Sequence, residues 1–484
     1  MNYKMMGRFI AQILSLEGIF MLPALTISVH LGEHPAIRGF AATIVILLAI
    51  SAALRMLCRG AKSNFYATDG MVCVALSWII LSLTGCLPFV ISREIPRFID
   101  ALFEIVSGFT TTGASILPAV ENLSKGILYW RSFSHWVGGM GVLVFLLAIV
   151  PSGERGKGFT MHLLRAESPG PSVGKLVPRM RKTAAILYIL YVILTVANIV
   201  FLLLGGMPAF EAVCNAFGTA GTGGFGVRND SFASYSPYLQ NVTTVFMFLF
   251  GVNFSCYYLL LIGQVRSVLK DEELRAYFGI AFVSIALIAW NIRGLYGTVG
   301  ETLRHAAFQV SSIMTTSGFA TTDFDLWPSF SKTILLVLMV IGASAGSTGG
   351  GIKVARVLLL FKSLRRSFLQ MLHPNRVQLV RNNDQVVDEK VMESTNAYLI
   401  AYVFILFLSF LVLSLDGFST GTNFSAVLCC FNNIGPGLEA VGPTCNFSGF
   451  SVLSKLVLIT DMLLGRLEIF PMLVFFLPDT WRRF

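Results

Sequence analysis

FEIVSGFTTTGAS, residues 103–115, joins a short apolar segment that suits a helix to a turn rich in Thr, Gly and Ser. Three later stretches repeat this design: FEAVCNAFGTAGTGGFG from Phe210, FQVSSIMTTSGFATT from Phe308 and FSAVLCCFNNIGPGLEAVG from Phe424. An apolar helix of about ten residues is too short to cross ~30 Å of hydrocarbon. Each stretch is therefore predicted to enter a membrane and return, with its irregular half buried in protein or lining water.

The composition requires a lipid environment around these stretches. Hydrophobic residues make up 55% of the 484 residues and charged residues only 13%, about half the charged share of a soluble domain. The first apolar run follows Lys4 and Arg8 and is too long for a signal peptide, which predicts a retained helix. Runs of membrane-spanning length predict ten crossings, at about 9–29, 38–57, 70–92, 126–150, 183–205, 240–263, 276–296, 332–361, 395–415 and 451–477.

The basic residues indicate the orientation of the chain. The largest basic clusters lie in 151–182 and 353–393, and smaller ones lie around Arg55, Arg266 and Arg482. All of them, like the N-terminus, follow an even number of crossings. Because cytoplasmic loops carry the excess of Lys and Arg, both termini are predicted to be cytoplasmic. This distribution favours a membrane orientation signal over a nucleic-acid-binding surface.

The four stretches recur about every 100 residues when Gly113, Gly221, Gly318 and Gly435 are taken as equivalents, which indicates an array of one structural unit. The predicted fold is an all-α integral membrane protein with four tandem helix–pore helix–helix repeats around a pseudo-fourfold pore axis. Two extra N-terminal transmembrane helices precede the repeats. The predicted boundaries are 1–62 for the N-terminal pair and 63–160, 161–270, 271–375 and 376–484 for the repeats.

The four turns suit the passage of a cation. Rings of backbone carbonyls can replace the water shell of an ion, and Gly permits the backbone conformations that aim successive carbonyls inward. The predicted filter residues are Thr111, Thr112, Gly113, Ala220, Gly221, Thr316, Ser317, Gly318, Asn433, Ile434 and Gly435. The second loop is longer than the others, so Gly223 or Gly224 could instead be the equivalent of Gly113.

A fifth glycine-rich stretch, GASAGSTGGGIK at 342–353, interrupts the run at 332–361. It lacks the Gly-Lys-Ser/Thr of a phosphate-binding loop. Two interpretations remain, a helix kinked for close packing and a flexible loop that obstructs the pore under the filter. The second interpretation makes gating residues of Gly342, Gly346, Gly349, Gly350, Gly351 and Lys353.

Three charged side chains lie within apolar segments and need an explanation. Arg466, in the last predicted crossing, is either the ion-pair partner of Asp461 or Glu468 or a fixed positive charge beside the ion path. Glu104 and Glu211 follow the first Phe of their stretches and either adjust the local potential or make supporting hydrogen bonds.

No signature of an enzyme is visible. The eight cysteines form no CxxC pair, and His30 and His34 flank a Gly-Glu pair with no third ligand nearby. A membrane enzyme acting on lipid-borne substrates would need a titratable cluster at one membrane face, where this sequence has scattered cations. The prediction is a protein that is not an enzyme, has no cofactor and holds a metal ion only at the filter.

Eight motifs resemble the TrkH/KtrB/HKT superfamily of potassium transporters, most closely its bacterial TrkH branch. They are FTTTGAS at 109–115, HWVGGMGV at 135–142, RAESPGPSVGKLVPRMRKTA at 165–184, TAGTGGFG at 219–226, TTSGFATTD at 315–323, GSTGGGIKVARV at 346–357, NNIGPGLEAVG at 432–442 and GRLEIFP at 465–471. The resemblance covers nearly the whole chain and implies channel-like potassium uptake across a bacterial inner membrane. The alternative is a sodium or sodium/potassium transporter with the same pore.

The resemblance also implies roles for particular residues. Gly113 is associated with potassium preference, since a Ser there accompanies sodium transport in some plant relatives. The segment 342–351 becomes the intramembrane gate, and Arg466 faces the pore beneath the filter. Each subunit of a homodimer is expected to hold one pore, and a cytosolic nucleotide-binding ring of the TrkA type is the expected regulatory partner.

Overall fold

The computed structural model describes residues 1–60, 66–139, 141, 180–375 and 378–481. Much of the predicted basic cytoplasmic segment, residues 151–179, lies outside the described residues, as do Lys62, Arg376, Arg482 and Arg483. The motif at 165–184 and the span predicted at 126–150 are described only in part.

Most of the described chain is helical. Its helices are α1 Tyr3–Leu31, α2 His34–Leu57, α3 Ala67–Gly85, α4 Leu87–Ile91, α5 Phe98–Phe109, α6 Lys125–Gly139, α7 Met180–Leu204, α8 Ala209–Gly221, α9 Pro237–Gly251, α10 Phe254–Leu261, α11 Val265–Lys270, α12 Glu272–Ile292, α13 Val299–Met314, α14 Ser329–Ile341, α15 Val354–Leu372, α16 Glu389–Leu413, α17 Thr420–Phe431, α18 Val452–Arg466, α19 Phe470–Phe476 and α20 Pro478–Trp481. A two-stranded antiparallel hairpin, β1 Arg381–Asn382 and β2 Gln385–Val386, pairs Arg381 with Val386.

Within the described residues, six helices are long and apolar enough to cross a membrane, or seven if the bent pair α9 and α10 counts as one span. The six are Tyr3–Leu31, His34–Leu57, Thr68–Ile91, Ala185–Leu204, Glu272–Ile292 and Glu389–Asp416. Helix α16 leaves Ile400, Phe404, Phe407 and Leu411 exposed along one face, which lipid would cover. The chain is therefore a multi-pass membrane protein, and the count of ten crossings stays a prediction.

The predicted repeat architecture is confirmed. Each short helix, α5, α8, α13 and α17, lies in the chain between two helices that contact it. Helices α1 and α2 precede the repeats, pack against each other and contact the first repeat through α3, α4 and α6. A 12-residue helix such as α5 is only ~18 Å long at 1.5 Å per residue. It reaches about the middle of a bilayer.

Three of the predicted apolar runs are broken rather than continuous. Helices α9 and α10 meet at an angle of 89°, and the side chain of Asn253 starts α10 by accepting a hydrogen bond from the amide of Ser255. Residues 342–353 separate α14 from α15. Helix α18 ends where Glu468 and Ile469 adopt positive φ angles of 54° and 68°, a conformation that ends a right-handed helix.

Candidate ion pathway

The four short helices end in the same hydrogen-bonded turn. In each, an amide donates to the carbonyl five residues earlier: Thr112 to Ser107 (2.8 Å), Gly223 to Gly218 (2.8 Å), Ser317 to Ser312 (2.7 Å) and Ile434 to Cys429 (2.8 Å). The preceding amide donates to the carbonyl three residues earlier, as Thr111 does to Gly108 at 3.0 Å. Together these bonds form the Schellman motif that closes a helix at its carboxyl end.

The backbone then repeats an unusual conformation four times. The residue that closes each helix is left-handed although it is not glycine, with φ of 56° at Thr111, 56° at Thr222, 59° at Thr316 and 55° at Asn433. Two residues later a glycine has positive φ: 80° at Gly113, 80° at Gly224, 72° at Gly318 and 101° at Gly435. Strained residues of this kind persist only where their surroundings hold them. Their fourfold recurrence defines a common loop.

This pattern corrects the alignment of the second loop. Ala220 and Gly221, predicted as filter residues, belong to the last turn of α8. The residues in the places of Thr111, Thr112 and Gly113 are Thr222, Gly223 and Gly224, so the equivalence of Gly221 with Gly113 is wrong and the alternative Gly224 is right. Counting back from these turns, the residue that matches Glu104 is Asn215, one helical turn beyond Glu211. An alignment error of three or four residues is about one helical turn, so the aligned residues stay on the same face of the helix. The periodicity of the sequence therefore does not reveal the error.

The four loops close into a ring. A Cβ atom added to the glycine of any loop would meet the carbonyl oxygen of the residue before the glycine of the next loop. The four contacts are Gly113 with Gly223, Gly224 with Ser317, Gly318 with Ile434, and Gly435 with Thr112 (2.8 Å). The last contact returns to the first loop, so the structure brings all four predicted loops together around one axis.

The side chains of these loops are held within the protein. Thr112 Oγ1 accepts a hydrogen bond from Asn433 Nδ2 at 3.0 Å, and the same Asn433 amide donates to the Met462 carbonyl at 2.9 Å. Thr315 and Ser317 join their hydroxyls at 2.9 Å. These contacts fix the side chains of Thr112, Asn433, Thr315 and Ser317 within the protein. The four glycines also line one cavity of about 130 Å³ at the mouth of the ring.

Glu104 serves as a support behind the first loop, as one of its two predicted roles proposed. Its carboxylate accepts from the Ile116 amide at 2.9 Å and the Ser115 hydroxyl at 2.9 Å. Arg131 on α6 forms a buried ion pair with it at 2.6 Å and donates to the Gly226 carbonyl at 3.0 Å. The pair therefore ties the first loop to the second. Glu211 instead pairs with Arg228, a half-exposed contact at 3.0 Å.

The glycine-rich stretch at 342–353 is a loop, which excludes the interpretation as a kinked helix. Gly342 and Gly351 form its neck, where a Cβ on Gly342 would lie 2.8 Å from the Gly351 Cα. Lys353, with a φ of 80°, turns its ammonium back onto the Gly349 carbonyl. Gly346 makes the contact on the far side of the loop, where its carbonyl accepts from the Phe254 amide at 3.1 Å.

The tip of this loop lies against the ring. The amide of Gly350 donates to Thr316 Oγ1 at 2.7 Å. A Cβ on Gly349 would lie 2.8 Å from the Thr315 carbonyl oxygen, and one on Gly350 would overlap the Asn432 carbonyl. The loop therefore occupies the inner side of the ring, opposite the mouth.

Two elements that sequence reasoning missed hold the loop. The break between α9 and α10 accepts it, because the Gly251 carbonyl receives the Ser344 amide at 3.1 Å. Glu273, in the first turn of α12, accepts from the Ala345 amide at 2.5 Å. The carboxylate of Glu273 comes from a distant part of the sequence, so only the run of acidic residues at the start of α12 could have drawn attention to it.

Arg466 lies at the junction of the loop and the first repeat. Its guanidinium donates to the carbonyl of Thr348 in the loop at 2.9 Å and to the carbonyls of Gly138 at 2.5 Å and Gly139 at 2.7 Å. Glu468, one of its predicted partners, forms an ion pair with Arg356. Asp461, the other, accepts from the Ser409 hydroxyl at 2.8 Å.

The fold and the site define a multi-pass membrane protein with four re-entrant loops around one axis. Among the residues that the structure describes, no three His, Cys, Asp or Glu side chains lie together so as to hold a metal ion. A family model described as a cation transport protein, TrkH, matches residues 36–482. The chain belongs to the TrkH family.

Curated relatives and a solved structure agree with this assignment. The chain is 36% identical to the Trk system potassium uptake proteins TrkH of Salmonella typhimurium and Escherichia coli, over 100% of both chains. It is 33% identical to the Trk system potassium uptake protein TrkG of Escherichia coli over 96% of each chain. The crystal structure of the potassium transporter TrkH from Vibrio parahaemolyticus superposes with a TM-score of 0.89, at 32% identity and 100% coverage of each chain.

Proposed function

We propose that this protein takes up potassium ions across the bacterial cytoplasmic membrane by channel-like permeation through the ring of four loops. The inside-negative potential drives cation entry at ~2.3 kcal/mol per charge per 100 mV, so the chain needs no hydrolytic site of its own. The names of the relatives, which are potassium uptake proteins, support potassium as the ion.

The observation that carries the proposal is the closed ring. Four strained turns of one conformation bring the carbonyls of Thr112, Gly223, Ser317 and Ile434 against the glycines of the neighbouring loops. Such a ring replaces the hydration shell of a cation without adding fixed negative charge. The short helices point their carboxyl ends at the ring, where the helix dipole favours a cation. The filter residues are therefore Thr111–Gly113, Thr222–Gly224, Thr316–Gly318 and Asn433–Gly435.

The loop at 342–353 is the gate in this proposal. Its contacts with Thr316 and with the Asn432 carbonyl, on the side of the ring away from the mouth, support this role. Arg466 holds the loop through the Thr348 carbonyl and adds a positive charge beside the path, which repels a cation. Opening requires the loop to leave the ring, and the glycines of its neck supply the backbone freedom for that movement.

Regulation and assembly complete the proposal. The chain forms a homodimer with one pore per subunit, and a cytosolic nucleotide-binding ring of the TrkA type controls the gate. The termini are cytoplasmic. The basic residues of α15, including Lys362, Arg365 and Arg366, then lie toward the cytoplasm, as the positive-inside rule requires.

Complementation tests the function directly. The chain, alone and with a TrkA-type protein, is expressed in a bacterium that lacks potassium uptake systems and grows only at high external potassium. We expect growth at low external potassium. Rubidium uptake should also exceed sodium uptake. A protein that reaches the membrane but supports neither growth nor rubidium uptake with the partner present would refute the proposal. Sodium uptake in place of rubidium uptake would assign the pore to sodium.

A further inference from the structure

The second loop of the ring differs from the other three at one position. The residue before the ring glycine is Thr112, Ser317 or Ile434 in the first, third and fourth loops, but Gly223 in the second. Each of the three side chains is buried, so close packing around it limits how the backbone at that position can rotate. Gly223 has no such side chain to fix its carbonyl.

The imidazole of His135 occupies the missing position. For a Cβ added at Gly223, the three nearest atoms are Nδ1, Cγ and Cε1 of the His135 ring, all close enough to overlap it. Gly223 has no positive φ, so its backbone conformation would accept alanine. The histidine ring is therefore the reason why this position is glycine.

His135 is held firmly in this place. Its side chain is fully buried on α6, and its ring centroid lies 4.2 Å from that of Phe225. The carbonyl of His135 also packs against Gly221, where no Cβ would fit. One turn earlier on α6, Arg131 is fixed by its ion pair with Glu104. The histidine ring is thus held by packing within the first repeat.

We propose that His135 is a positioning residue for ion selectivity, which fixes the Gly223 carbonyl in the ring from behind. Gly113 contacts this carbonyl from the front, since a Cβ there would overlap its oxygen. The first repeat therefore sets the geometry of the carbonyl of the second repeat from both sides. The proposal rests on the ion pathway proposed above and adds a selectivity determinant to it.

Exchanging side-chain volume between His135 and Gly223 tests the proposal. The purified full-length protein is reconstituted in liposomes, and rubidium uptake is measured in the presence of competing potassium or sodium. His135→Ala should raise the relative competition by sodium roughly tenfold, equivalent to ~1.4 kcal/mol, while rubidium uptake persists. Gly223→Ala should abolish uptake, because its methyl group overlaps the imidazole. The double variant His135→Ala with Gly223→Ala should recover uptake and part of the potassium preference, because the methyl group then enters the vacated space.

His305→Ala is the matched control. This buried imidazole lies on α13, bonds the Thr321 hydroxyl at 2.9 Å and takes no part in the ring, so its removal should leave the sodium-to-potassium ratio unchanged. A wild-type ratio in His135→Ala, or full activity in Gly223→Ala, would overturn the proposal. No rubidium uptake by the wild-type protein with the TrkA-type partner added would instead reject the proposed function, so the two failures are distinct.

Discussion

Gly113→Ser is the substitution whose effect follows most directly from the ring geometry. The backbone of Gly113 has a φ of 80°, and a side chain in this conformation costs ~1–2 kcal/mol. Its Cβ would also overlap the carbonyl oxygen of Gly223. That oxygen would have to move by roughly 1 Å to reach an ordinary contact distance, which removes one carbonyl from its place in the ring.

The backbone strain and the overlap with the Gly223 oxygen can be separated with Gly206→Ser as a control. Gly206 has the same φ of 80°, but no atom lies within 4 Å of an added Cβ. Both variants should therefore carry the same backbone strain, whereas only Gly113→Ser should also overlap the Gly223 carbonyl and disturb the ring. We expect the preference of Gly113→Ser for potassium over sodium to fall roughly tenfold, which corresponds to ~1.4 kcal/mol.

The assay is rubidium uptake into liposomes with potassium or sodium as competitor, combined with thermal unfolding of both purified variants. The loss of thermal stability in Gly206→Ser measures the backbone strain alone, and the larger loss expected in Gly113→Ser measures the added overlap. The reasoning is refuted if Gly113→Ser keeps the potassium preference of the wild type. It is also refuted if Gly206→Ser loses that preference to the same extent, because strain alone would then explain the result.

Three further predictions concern the residues that support the pathway. Arg466→Ala should raise flux in the absence of any partner about tenfold, since a hydrogen bond to a charged group contributes ~1.5–3 kcal/mol; unchanged flux in liposomes would contradict it. Arg131→Met should lower the free energy of unfolding by ~3–5 kcal/mol, because it leaves the Glu104 carboxylate buried without its partner. Adding Glu104→Gln to this variant should recover part of the lost thermal stability. The Ser419 hydroxyl helps to hold the pKa of the Glu439 carboxylate below its ordinary value. The stabilisation from this contact is therefore complete when the pH is above that ordinary pKa, and it is lost as the pH falls through the lowered pKa of the folded protein. Thermal unfolding at stepped acidic pH should therefore show a smaller pH effect in Glu439→Gln.

Much of the architecture could be predicted because membranes restrict the choices. A ten-residue apolar helix that ends in a polar turn can only be re-entrant, and this argument found all four short helices, although α13 begins at Val299, before the predicted start at Phe308. The prediction that the four loops share one axis depended on their repetition, because one glycine-rich turn is common whereas four in tandem are specific. The three loops with a single ring glycine, at Gly113, Gly318 and Gly435, were aligned correctly.

The second loop was misaligned because its sequence contains several glycines within a few residues. Gly221, Gly223 and Gly224 all permit a turn, and only the hydrogen bond from the Gly223 amide to the Gly218 carbonyl identifies where α8 ends. Two supports of the loop at 342–353 were missed for a different reason. Glu273 and the Gly251 carbonyl reach the loop from parts of the sequence that no local pattern connects with it, whereas Arg466 was singled out as a charge within an apolar segment.

The ring contacts imply that each loop is constrained by its neighbour more than by itself. The oxygen that would collide with a side chain at Gly318 belongs to Ile434, and the one that would collide at Gly224 belongs to Ser317. A substitution in one repeat therefore acts on the carbonyl of the next. The contacts return from Gly435 in the fourth loop to Thr112 in the first loop, so every loop has a neighbour on both sides. Selectivity is then a property of the closed ring, and exchanging one loop for another should fail unless the residue behind the neighbouring carbonyl, such as His135 behind Gly223, changes with it.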